Sequence, residues 1–127
     1  MKNIVLGMIT IFLFSCSVQK TLDEKILGKW YMSKVYELDQ DVTAKHNPQN
    51  NRWIDFNSNG TFKSGGDPVG ENTGKWSIKN DSTLFIDSDA GENDDSYWVL
   101  NFDGDNMKWQ GAKFEFNKRF IIEHERR

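Results

Sequence analysis

From Leu27 onward, large apolar and polar side chains trade places along the chain. In Leu27-Gly28-Lys29-Trp30-Tyr31-Met32-Ser33-Lys34-Val35-Tyr36-Glu37-Leu38 the even positions Trp30, Met32, Tyr36 and Leu38 are large and mostly apolar, while Lys29, Ser33 and Glu37 are polar. That is the period of a strand with one dry face. Lys34 on the even side, and Tyr31 and Val35 on the odd side, break it. Gly28 allows a sharp turn before the strand, which sets Trp30 to plug one end of whatever closes around it. Asp39 to Asn51 is polar and predicts a loop.

Short extended segments with turn signals between them follow. Arg52-Trp53-Ile54-Asp55-Phe56 and Thr61-Phe62-Lys63-Ser64 flank Asn57-Ser58-Asn59-Gly60, and Asn-Gly between apolar runs is a strong hairpin signal. After a glycine-rich loop, Gly74–Lys79 pairs across Asn80-Asp81 with Ser82–Asp87, directing Trp76, Ile78, Leu84 and Ile86 inward. An acidic loop from Ser88 to Asp95 leads to a strand over Tyr97–Phe102, with Trp98, Leu100 and Phe102 facing the core. Asp103–Asn106 turns it into Met107–Gln110. The tail from Lys113 to Glu123 alternates as one strand or as two meeting at Asn117-Lys118. Eight such segments, nine at most, with no helix of ordinary length beyond the N-terminal signal helix, predict an all-β fold. Sequential hairpins favour a small antiparallel up-and-down β-barrel, which also removes the sheet edges that invite aggregation.

The beginning of the chain has a different character. Met1-Lys2-Asn3 is a short basic opening, and Ile4–Phe14 is an apolar run of eleven residues broken only by Gly7 and Thr10. A hydrocarbon core needs about 20 residues of helix, so this run has the length of a signal-peptide apolar region. Leu13-Phe14-Ser15-Cys16 resembles the lipobox of bacterial lipoproteins, with a bulkier Phe14 than is usual there. The resemblance implies cleavage before Cys16, acylation of its thiol, and attachment to the bacterial envelope, at the outer membrane by expectation. The alternative is an ordinary secretory signal with a cysteine beside the cut. Cys16 is the only cysteine, so no internal disulfide is available and packing alone must hold the domain. The organisation expected is therefore a signal peptide over 1–15, a tether over 16–26 and one domain over 27–127. Within the tether, Thr21-Leu22-Asp23-Glu24 has the form of a capping box, giving either a helical turn over Leu22–Leu27 or a frayed linker. With Lys2 removed, fifteen basic residues face nineteen acidic ones, and no basic stripe runs along the chain, which argues against nucleic acid.

Gly28-Lys29-Trp30, Phe56-x-x-x-Gly60-Thr61-Phe62 and Gly74-Lys75-Trp76-x-Ile78, in that order behind the lipobox, resemble the small lipocalin-like lipoproteins of Bacteroidota over residues 27 to about 125. The resemblance implies that a late basic residue packs on the first tryptophan, and Arg119 is the candidate. The Thr-Asp-Tyr turn of lipocalins is absent. An eight-stranded barrel has room for packed side chains or one small ligand, and the chain beyond residue 15 holds fifteen aromatics. A small pocket opposite Trp30, or none, is the expectation. Met32, Tyr36, Phe62, Trp76 and Trp98 are the candidate lining, and Gly28, Trp30 and Arg119 the structural end of the barrel.

Catalysis finds little support. His46 lies in a polar loop and His124 near the end of the chain, both read as solvated; no Gly-x-Ser-x-Gly elbow is present. Asp87-Ser88-Asp89-Ala90-Gly91-Glu92 places glycine fifth rather than sixth for a calcium loop, so no metal and no cofactor are expected. Two functions stand ahead of an enzyme. The first is a membrane-anchored binding module for a small apolar or amphipathic molecule. The other is an envelope interaction protein with a filled barrel, meeting a protein or peptide through its loops and outer aromatics such as Trp53, Phe85 and Tyr97.

Overall fold

The computed structural model describes residues 19–127; the apolar run and the lipobox with Cys16 lie outside the described residues. Helical turn α1 (Leu22–Lys25) precedes β1 (Gly28–Glu37), and a two-residue β2 (Gln40–Asp41) and helical turn α2 (Thr43–His46) follow it. Then come β3 (Trp53–Phe56), β4 (Thr61–Gly65), β5 (Asn72–Lys79), β6 (Thr83–Ser88), β7 (Ser96–Asp103), β8 (Asn106–Ala112), α3 (Glu115–Lys118) and β9 (Phe120–Glu125). Neighbouring strands pair antiparallel in chain order from β3 to β9, and β1 pairs with both β3 and β9. Eight strands thus close a barrel, with β2 appended to the end of β1. This is the up-and-down architecture that the alternation predicts.

Hairpin chemistry matches the turns in two places. Gly60 has φ of 83° in the β3–β4 turn, and Asn80 and Asp81 have φ of 51° and 61° between β5 and β6. Such values suit Gly, Asn and Asp. The predicted loop from Asp39 to Asn51 instead begins with a two-residue turn at Leu38-Asp39, both at positive φ, and continues into β2 and α2. The tail from Lys113 to Glu123 is neither one long strand nor two meeting at Asn117-Lys118: Lys113–Arg119 folds back as a turn and α3, and only β9 extends, so residues 107–125 hold two strands.

The core runs through the barrel as Trp30, Met32, Val35, Ile54, Phe56, Phe62, Leu84, Ile86, Trp98, Leu100, Met107, Trp109 and Phe120, joined by Ile26. Burial of rings this large supplies most of the apolar driving force. Ile26, the last tether residue, is wholly buried, and its carbonyl accepts a 2.8 Å bond from Trp30 Nε1. The turn α1 forms beside it without a Thr21 side-chain cap.

Candidate functional site

One end of the barrel is shut by a stack. Trp30 packs against Phe102 at 5.9 Å between ring centres, and the guanidinium lying 3.6 Å over its ring belongs to Arg126. Arg126 donates to the carbonyls of Leu27, Lys25 and Lys29, at 2.7, 3.2 and 3.1 Å. Arg119, the residue assigned to this place from sequence, sits at the opposite end and pairs with Glu37. Register is the reason: β9 starts at Phe120 opposite Glu37 and reaches Tyr31 only with Glu125, so the last turn of chain, not the first, returns to Trp30. Gly28 serves the same closure. With φ of 95°, it lets Arg126 approach to a distance at which a Cβ would crowd the guanidinium.

The other end opens into a chamber of about 380 Å³, within the range of small-molecule sites. Val35, Ile54, Ile86, Trp109 and Ile122 line its apolar wall together with Met32, Phe62 and Trp98. Two of the five candidate lining residues lie elsewhere. A register shift between Met32 and Lys34 inserts an extra residue into β1, which turns Val35 inward and carries Tyr36 to a half-buried position opposite Asp41 and Ile121. Trp76 sits toward the shut end, edge-on to Phe56, with Nε1 donating to the Asn57 carbonyl at 3.0 Å.

Polar groups enter the chamber where sequence reading expected water. His124 is 3% exposed, its ring 4.3 Å from that of Trp109. Burial, with the Arg52 charge as a lesser cause, lowers its imidazole to about 3, so it is neutral at neutral pH. His46, at the end of α2, packs edge-on against Phe120 at 5.6 Å and is likewise depressed, first by burial, then by Lys45 and Arg52, with Glu37 opposing. Both histidines line the chamber rather than standing in solvent. The strand period carries the one useful signal for His124: it lies two residues beyond the apolar Ile122. Arg52 completes the set. Its backbone N–H is held by Asn47 Oδ1 at 3.1 Å, and buried Asn47 also donates to the Met32 carbonyl at 2.8 Å.

The rim is built from α2, the 66–71 loop, the 3-10 turn Glu92–Asp94 and α3. There Asp94 accepts from Ser88 Oγ at 2.7 Å, and Asp95 accepts from the Ser88 backbone at 2.8 Å. The acidic loop thus ties its carboxylates to its own backbone and hydroxyl. No group of three or more His, Cys, Asp and Glu suited to a metal ion is found among the described residues.

A closed up-and-down barrel, plugged at one end and hollow at the other, is a lipocalin-like architecture. The chain belongs to the lipocalin-like domain family, whose model matches residues 26–109. A crystal structure of a DUF4847-family protein from Bacteroides vulgatus shares the fold, with a TM-score of 0.55 at 14% identity over 79% of this chain and 92% of that one. No curated protein matches the sequence.

Proposed function

We propose that this protein is a lipid-anchored binding module of the bacterial envelope, holding one small apolar or amphipathic molecule in its chamber without converting it. The chamber itself carries the reading: about 380 Å³, walled by Phe62, Trp98, Trp109 and aliphatic side chains, opposite an end shut by Trp30 and Arg126. Leu13-Phe14-Ser15-Cys16 supports the anchor, with the acylated Cys16 at the outer membrane and the chain to Thr21 as its leash. Native mass spectrometry of the protein purified from its own cells tests both parts. A co-purifying small molecule and a mass matching cleavage and acylation at Cys16 are expected. An unloaded barrel whose Trp98 and Trp109 emission answers to no apolar probe would end the binding reading, and an unmodified thiol would end the anchor.

The alternative is an interaction protein that meets another envelope protein or peptide from outside. A specific feature favours it: Phe85 stacks on Tyr97 at 4.6 Å, and the half-exposed Phe114 meets Tyr97 edge-on at 5.7 Å, with Lys113 over the Tyr97 ring. Tyr97→Ser would release such a partner and leave small-molecule binding intact.

A further inference from the structure

We propose that the chamber is built for an amphiphile with one carboxylate head, and that Arg52 holds that head. This rests on the binding reading above and narrows it to a chemical class.

Arg52 reaches the chamber through the sheet register. Its carbonyl accepts from the Met32 backbone at 2.9 Å, and His124 stands opposite Met32 on the other side of β1. Arg52, Met32 and His124 therefore form one row across the barrel wall, and all three line the chamber. A guanidinium has five N–H donors, and the Arg52 side chain makes one hydrogen bond to protein among the described residues, from Nη1 to the His46 carbonyl at 3.0 Å. The ion pairs among the described residues are Lys34–Asp41, Lys118–Glu115, Arg119–Glu37 and Arg127–Glu125, so Arg52 has no carboxylate. A partly buried cation without a counter-charge is costly. Burial alone depresses its proton affinity, with no opposing acid at work.

A second observation points to the same place. Three buried side-chain polar atoms lack a protein partner among the described residues: His46 Nε2, Trp109 Nε1 and His124 Nδ1. All three belong to the chamber wall. Buried polar groups are nearly always paired, and three unpaired ones around a single chamber mark a surface shaped for a polar group of a ligand. Sign follows from the inventory. The indole N–H and the guanidinium can only donate, whereas the rim acceptors Asp94 and Asp95 are already engaged by Ser88 and, for Asp94, by Asn72 at 3.3 Å. An accepting head answers both fixed donors, the neutral imidazoles of His46 and His124 can turn a donor toward it in one tautomer, and a planar carboxylate matches the guanidinium fork. Size follows from volume: at ~30 Å³ per water-sized unit, the chamber takes about a dozen non-hydrogen atoms.

Titration of the full chain with decanoate, 1-decanol and decylammonium, followed by Trp emission, tests this. Decanoate should bind at least tenfold tighter than decanol, with decylammonium weakest. Arg52→Gln should abolish the preference, so that the variant binds decanoate no more tightly than it binds decanol; Arg52→Lys should keep part of the preference. Equal binding of decanoate and decanol by the natural protein, or a preference that survives Arg52→Gln, overturns the headgroup assignment while leaving the binding reading in place. Failure of all three probes to bind overturns both. The preference in the natural protein needs no variant, so a misfolded Arg52→Gln does not remove the test.

Discussion

Arg126 lies over Trp30, its guanidinium carbon 3.6 Å from the ring centre, and fastens the carbonyls of Lys25 and Leu27 before β1 and of Lys29 at its start. The last strand is thereby tied to the first, and the closed end is locked from both termini of the fold. A cation over an indole contributes about 0.5–2 kcal/mol, and a charged hydrogen bond away from solvent adds about 1 kcal/mol or more.

Two of the three bonds, to Lys29 and Lys25, are solvent-exposed and add little, so Arg126→Ala should cost about 2–3 kcal/mol in urea unfolding, and Arg126→Lys should recover less than half, because an ammonium cannot stack flat and reach three carbonyls. Arg119→Ala, which removes a solvent-exposed pair with Glu37, should cost no more than ~1 kcal/mol. The reverse ranking would show that the barrel closes differently.

His124 should make the fold acid-sensitive. Its folded imidazole titrates at about 3 against 6.5 for an ordinary histidine. Between those values the unfolded chain carries the proton and the folded chain does not, so the unfolded state binds more protons and stability falls as pH drops. The contribution is complete above about 6.5, shrinks as pH falls through the window, and is fully lost near 3. Each pH unit within it is worth ~1.4 kcal/mol. Unfolding free energies at pH 7 and pH 4 should differ by a few kcal/mol more in the natural protein than in His124→Phe. Parallel pH curves for the two would sink the assignment.

Gly111 has no room for a side chain, since a Cβ there would collide with the backbone oxygen of Asn117 in the turn around α3. Gly111→Ala should lift this turn, cost at least ~2 kcal/mol, and raise hydrogen exchange over 113–119 before any change appears near Trp30. Uniform loss of protection across the barrel would contradict a local role.

Filling the chamber should separate binding from stability. Ile86 is buried and faces the open volume, so Ile86→Phe places its added atoms where there is space. Decanol affinity should fall at least tenfold with stability unchanged within about 1 kcal/mol. Destabilisation by 3 kcal/mol or more would mean that the wall around Ile86 is packed tight.

Much of the barrel was legible in the chain. Two-residue periods in β5, β6 and β7, with Asn-Gly and Asn-Asp between strands, follow from local sterics, and local sterics are written residue by residue. Gly28-Lys29-Trp30 likewise announced the plugged end. The Leu38-Asp39 turn was not legible, because leucine at positive φ carries no turn signal.

What fell short belongs to register. The break at Lys34 is visible in the sequence, but an inserted residue and a misplaced lysine look the same until β9 is laid beside β1; only that pairing turns Val35 inward and Tyr36 away. The same pairing gives Trp30 to Arg126 rather than Arg119 and buries His124 beside Trp109. Height along the barrel sets Trp76 toward the shut end and brings Arg52 to the hollow one. The sequence by itself determined the strands, their turns and the inward rings, since each depends on neighbours a few residues away. Tertiary structure alone decided which groups face one another across the chamber, because that depends on the stagger of strands far apart in the chain, and a shift of one residue reverses every side chain.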